Sequence, residues 1–256
     1  MKFDFNVPIT TYELVAIAIS ILALIMPVII WIIKKIFFKT KLELYPTNQL
    51  KLLYNESGSY INIDFSLECK NKSAIIKNIE TEIIRESDNK KLELIQSTYR
   101  SPVYSMIGNN FVSNNEVAHT IKIDKDELRC IFLEEAQKNA EIINKLKEIH
   151  DNKMNGIEIA EDYNKTIQKF KEKASYNEIY AKLYEELFWK KSKYTLKIII
   201  MYNKKQKLVK EFVFEIDEKE ARLFEENVEK ALVCRIGNRF GVITNFYYGN
   251  KSYEEK

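Results

Sequence analysis

Glycine is scarce, with six in 256 residues. Little is left from which to build a loop that cradles phosphate on backbone N–H groups, and neither a GxxxxGK nor a GxGxxG motif occurs. Histidine is scarcer still, with His119 and His150 alone. Neither has a ligand-spaced partner, so a zinc centre or a His-based triad has no local support. The three cysteines, Cys69, Cys130 and Cys234, are odd in number, far apart and without a CxxC pair. That fits reduced thiols better than a disulfide framework. An excess of one charge is missing too: 40 basic against 37 acidic residues give a formal net charge of +3, too little to argue for a nucleic-acid partner. No catalytic, cofactor-binding or metal-ligating residue is nominated, and no cofactor is expected.

Charge is absent altogether from residues 14–33, LVAIAISILALIMPVIIWII. A helix rises about 1.5 Å per residue, so roughly 20 apolar residues cross a ~30 Å hydrocarbon layer. Thr10 and Glu13 have the spacing of a capping box at its start. Pro27 is tolerated in a spanning helix, and Trp31 suits the headgroup level. A cleaved signal peptide should begin with a basic stretch and end at small residues. Here one lysine and two acids precede the run, and Lys34 and Lys35 follow it. With Lys39 and Lys41 they form a basic flank, which places the C-terminal part in the cytoplasm and the N-terminus outside. Expected localisation is therefore the cell membrane, with the bilayer as first partner.

The remainder alternates between two periods. Ile61, Ile63, Phe65, Leu67 and Cys69 recur every second residue, the pattern of a half-buried strand. Residues 41–45, 50–54, 74–85, 91–99 and 117–123 read as further short strands between turns. Asp124 to Glu127 resembles a capping box, and Leu128, Phe132, Ala136, Ile143 and Leu146 follow at helical spacing. Tyr163, Ile167, Phe170, Ala174, Asn177, Ala181, Tyr184 and Phe188 then alternate steps of four and three, a heptad seam. A possible restart at Ser175 leaves one long helix or two shorter ones open. Strands return at residues 194–202 and 207–216 as a hairpin. Asp217 and Glu220 cap a helix over residues 219–233, and a last strand over residues 240–248 closes the sheet.

These signals predict an α+β protein: an N-terminal transmembrane helix, then a cytoplasmic antiparallel β-sandwich of immunoglobulin-like size carrying an inserted helical hairpin. The expected division is a short extracytoplasmic N-terminus (1–11), the transmembrane helix (12–33), a basic juxtamembrane segment (34–40), a first part of the sandwich (41–124), the helical hairpin (125–191), a second part with one helix (192–250) and a tail (251–256).

Two surfaces are candidates for binding. The heptad seam either packs on the fold or forms a coiled-coil arm for a protein partner or a second copy, with Asn177 setting register. In the C-terminal segment, Arg235, Arg239, Phe246, Tyr247, Tyr248 and Lys251 interleave cations with aromatics, as nucleic-acid contacts do, although no RNA-binding signature is present. The loop with Tyr104, Met106 and Phe111 is a third, less defined surface. Acidic pairs Glu134-Glu135, Glu185-Glu186 and Glu225-Glu226 read as solvated helix faces, since neighbours on a helix point about 100° apart. The leading functional expectation is a non-enzymatic, membrane-anchored interaction or scaffold protein. The alternatives are a membrane-tethered nucleic-acid-binding accessory protein and an enzyme without a local motif.

Overall fold

The computed structural model describes residues 10–37, 39–100, 104–107, 110–113, 120–138 and 162–256. Its first element is helix α1 (Thr11–Phe37). The Thr10 N–H donates to Glu13 Oε2 at 2.9 Å and the Glu13 N–H to Thr10 Oγ1 at 3.4 Å, the reciprocal cap expected from the sequence. Between Thr11 and Lys34 the helix has a mean hydropathy of 2.9, and none of its most apolar window is buried against the rest of the chain.

An antiparallel sheet follows. Its strands are β1 (Lys41–Asn55), β2 (Gly58–Lys70), β3 (Ala74–Arg85), β4 (Lys90–Arg100), β7 (Ile121–Ile123), β8 (Leu128–Gln137), β9 (Ser192–Tyr202), β10 (Gln206–Ile216), β11 (Tyr248–Ser252) and β12 (Glu254–Glu255). Strands β5 (Tyr104–Ile107) and β6 (Asn110–Ser113) pair only with each other, in the region expected as a loop. The order in the main sheet is β11-β1-β2-β8-β4-β3-β9-β10-β12, with β7 beside β3. β11 and β12 are consecutive in the chain, yet they sit on opposite edges. Residues 248–255 therefore act as one interrupted strand that joins β1 to β10 and nearly closes the sheet into a barrel.

Pairing is continuous where two separate sheets were expected. Strand β4 bonds β3 through Lys90 to Glu93 and then β8 through Leu94 to Arg100. A strand that changes neighbours in this way turns a corner of the sheet. Strand β2 keeps its predicted phase, with Ile61, Ile63, Phe65, Leu67 and Cys69 all fully buried. The two short runs expected at residues 41–45 and 50–54 are one strand, with a register shift between Pro46 and Leu50 and Asn48 at φ 58°.

Among the described residues, three helices cover the barrel: α2 (Tyr163–Lys171), α3 (Ala174–Glu186) and α4 (Glu218–Arg239). They pack on one another, and α4 packs on β1. The predicted cap of α4 is present, with the Glu220 N–H donating to Asp217 Oδ1 at 2.8 Å and the Asp217 N–H to Glu220 Oε2 at 3.1 Å. Trp189, in the link from α3 to β9, is fully buried and donates its indole N–H to the Leu53 carbonyl at 2.9 Å. Beside it, the Arg85 guanidinium grips both oxygens of Asp88, at 2.9 and 2.6 Å, and donates to the Phe188 carbonyl at 2.7 Å. That clamp ties the end of β3 to the link.

Four expectations need correction. Leu128, Phe132 and Ala136 do not open a helix, because Leu128–Gln137 is strand β8, bonded to β2 and β4. The Asp124 N–H does donate to Glu127 Oε2 at 2.7 Å, as in a cap. Asp126, however, adopts φ 60°, and a left-handed residue makes a turn where a helix would need right-handed backbone. The rest of that expected helix, residues 139–149, lies outside the described residues. Second, the heptad seam is interrupted. α2 ends at Lys171 and α3 begins at Ala174, so the buried face passes from Phe170 to Tyr176, Ile179 and Leu183, leaving Asn177 and Ala181 exposed. Third, α4 runs on to Arg239, and residues 240–247 return along it instead of forming a strand. The Asn227 amide holds both backbone groups of Tyr247, at 2.8 and 2.9 Å, and the closing strand starts only at Tyr248. Fourth, Glu134 and Glu135 occupy a strand, and Glu135 is 2% exposed.

The closing strand meets α4 at Gly249. A Cβ built there would stand 2.7 Å from Phe224 Cζ, and Phe224 is fully buried. Gly249→Ala is therefore expected to cost about 1–3 kcal/mol, the usual penalty for overpacking, read as a lowered urea midpoint.

Candidate functional site

The outward faces of four neighbouring strands form a groove of about 460 Å³, lined by Lys51, Leu53, Tyr60, Asn62, Glu134, Tyr248 and Asn250. Register explains its composition. Asn250, Lys51, Asn62 and Glu134 are cross-strand partners in one row over β11, β1, β2 and β8. Tyr248, Leu53, Tyr60 and Ala136 form the next outward row. Strands lie about 4.8 Å apart, so each row spans roughly 14 Å. One row offers amides, an ammonium and a carboxylate, and the other offers two phenol rings around a leucine.

The lining of the groove offers hydrogen-bonding groups and two phenol rings. The backbones of Lys51 and Glu134 are two strands apart, roughly 10 Å. Among the described residues no cluster of three or more His, Cys, Asp or Glu is placed to hold a metal ion. His119 and His150 lie outside the described residues.

The fold turns Tyr248, Tyr247 and Lys251 in different directions. Tyr248 faces outward into the groove. Tyr247 packs edge-on against Phe224, with ring centroids 5.1 Å apart, and Phe246 is half-buried. Lys251 turns to the opposite face, where its ammonium meets Glu220 at 2.6 Å. Arg235 and Arg239 fall in the last turns of α4, and their side chains lie outside what is described. A base-stacking platform with free cations is thus not assembled by Tyr247 and Lys251.

Within the seam, Tyr163, Ile167 and Phe170 pack on the core cluster and Phe188 is buried. The Ala174 side chain is outside the described set. Tyr184 is half-buried, donates to Glu225 Oε1 of α4 at 3.0 Å and stacks on Tyr180, with centroids 6.3 Å apart. The Glu225 carboxylate, accepting that hydrogen bond, is the main reason the Tyr184 phenol titrates above its ordinary value. At the anchor flank, Trp31, Lys34 and Lys39 are exposed, the Lys35 side chain is not described, and Lys41 pairs with Glu43 at 2.6 Å. The lysines and the Tyr45 hydroxyl around Glu43 depress its carboxyl to about 2.

Sequence reading missed the groove. Tyr60 and Asn62 stand in the outward phase of the clearest strand in the chain, but their partners become visible only once β8 and β11 are placed. No protein family, no curated protein and no solved structure matches this chain.

Proposed function

We propose that the protein is a single-pass, membrane-anchored, non-enzymatic binding protein that holds a protein partner at the cytoplasmic face of the membrane. The observation that carries this reading is α1, whose most apolar window buries nothing against the fold. Its leucine, isoleucine and valine side chains stand 41–78% exposed. Covering such side chains stabilises by about 1.5–3 kcal/mol each, on the order of tens of kcal/mol for the helix. A bilayer provides that cover and leaves the helix backbone bonded internally. The lysines after the helix favour the cytoplasm for the barrel, and their position, together with the near-neutral start, favours retention over cleavage.

The groove supports the binding part of the reading. Its paired rows suit an extended peptide segment, which would bring backbone groups to the asparagines and side chains to Tyr60 and Tyr248. Carbonate washing should leave the full-length chain in the membrane pellet with its amino terminus intact. Release into the supernatant, or a new amino terminus beyond residue 33, would overturn the anchor. In crosslinking from detergent extracts, the double variant Tyr60→Ala, Tyr248→Ala should recover at least about tenfold less partner, as expected when aromatic anchors are removed. Its unfolding midpoint should stay near the parent's, because both changes are on the outer face. Undiminished recovery would remove the groove from the proposal.

A further inference from the structure

The end of the barrel next to α1 consists of three tight turns packed around the linker that leaves the helix. Asn71 Nδ2, in the β2–β3 turn, donates to the Lys39 carbonyl at 3.1 Å. Gln206 Nε2, after the β9–β10 turn, donates to the Thr40 carbonyl at 3.4 Å. The Asp126 N–H, in the β7–β8 turn, donates to the Cys69 carbonyl at 2.7 Å, and the Asn203 N–H to the Ile75 carbonyl at 2.8 Å. Asn71, Asp126 and Asn203 all have positive φ, at 71°, 60° and 53°, which keeps each turn short. Only residues 38–40 separate α1 from β1. At no more than ~3.6 Å per residue, Thr40 stands within roughly 11 Å of the helix end.

Charge on this rim is unbalanced. Its acids have partners: Glu43 pairs with Lys41 and Lys70, both at 2.6 Å, Asp124 with Lys122 at 2.7 Å, and Asp126 with Lys125 at 3.4 Å. The Glu127 carboxylate accepts the Asp124 N–H at 2.7 Å. By contrast, Lys39, Lys72, Lys204, Lys205 and Lys207 are exposed and have no carboxylate partner among the described residues. The unpaired lysines come from separate parts of the sequence, and the turns bring them together at the end of the chain segment that enters the membrane.

We propose that this lysine rim docks on anionic lipid headgroups, so that the barrel stands end-on against the leaflet. The proposal rests on α1 being a membrane anchor and adds an orientation to it. Any bilayer that takes up α1 holds Thr40, and with it the turns bonded to the linker, within roughly 11 Å of the helix end, on the order of the ~8 Å Debye length over which the field of anionic lipid acts. That proximity selects lipid phosphate over other polyanions.

The test uses the full chain in vesicles of phosphatidylcholine alone or mixed with phosphatidylglycerol, separated by flotation. An amine-reactive label is then mapped to individual lysines. Lys72, Lys204 and Lys205 should label several-fold more slowly in the anionic vesicles, with added salt restoring the rate. Lys193 and Lys219, exposed at the other end of the barrel, should not change. The triple variant Lys72→Glu, Lys204→Glu, Lys205→Glu should float equally well while the lipid dependence at Lys39 and Lys207 weakens. Equal labelling of the rim in both lipids, with the protein floating, would overturn the docking and leave the anchor standing. Failure to float with either vesicle would overturn the anchor and the docking with it.

Discussion

A chain ended after Tyr247 is expected to lose its cooperative fold. Residues 248–256 supply the strand that bridges β1 and β10, so removing them leaves two long strands with unpaired backbone groups at facing edges. Buried backbone groups without partners are costly, and open edges invite pairing with other chains. The same deletion removes Tyr253, which is 1% exposed and packs edge-on against Phe212, with ring centroids 5.0 Å apart. It also takes away Gly249, whose lack of a side chain leaves room for the Phe224 ring of α4, and the Lys251–Glu220 ion pair. Losing one buried aromatic to alanine costs about 3–5 kcal/mol, and a domain has only about 5–15 kcal/mol in total. Tyr253→Ala alone should therefore lower the denaturation midpoint sharply. The truncated chain should give a flattened near-ultraviolet circular dichroism spectrum, rapid proteolysis and association on a sizing column. A truncated chain that unfolds cooperatively at the parental midpoint would show that the barrel does not depend on its last strand.

This closing device was only partly legible. The aromatic, glycine-punctuated end of the chain does read as a strand that completes the sheet, but it was expected eight residues too early. Nothing local marks the Asn227 side chain as the group that occupies the Tyr247 backbone, and that contact postpones the strand. Strand β2 was read correctly because every inward position from Ile61 to Cys69 is apolar and the alternation is local. Strand β8 was misread for the converse reason. Its inward positions are Ile131, Leu133 and Glu135, so a carboxylate interrupts the period of two just where a helical spacing happens to fit. The seam from Tyr163 to Phe188 shows a third kind of limit. The restart near Ser175 left two helices open, and the break falls at residues 172–173, but periodicity does not show that the buried face changes phase across it. α1 and the cap of α4 were legible because chain length, hydropathy and a three-residue spacing determine them without tertiary context. The groove was not, since its rows are assembled from strands far apart in sequence.

The buried Glu135 is expected to make stability fall as pH rises from about 4.5 toward neutrality. Its Oε1 accepts a hydrogen bond from Thr81 Oγ1 at 2.9 Å, while Oε2 is buried and has no partner among the described residues. Burial is the larger cause of its shift and the Thr81 hydrogen bond a smaller, opposing one, and together they raise the carboxyl to about 7. Because the folded state holds its proton more tightly than the unfolded chain, folding is most favourable below the unfolded value near 4.5, where both states are protonated. As pH climbs from there to about 7, the unfolded chain ionises freely and the folded one resists, so stability declines. Above that window the penalty is constant. The difference corresponds to about 3 kcal/mol at most, at 1.36 kcal/mol per pKa unit, and relaxation around the site will lower it. Glu135→Gln keeps an acceptor for Thr81 and removes the ionisation. In urea titrations of the full chain in detergent, it should match the parent near pH 4 and exceed it by about 1–3 kcal/mol at pH 8. Parallel pH profiles for parent and variant would mean that water or a rearranged side chain solvates the carboxylate, and that the barrel interior is not as dry as its packing implies.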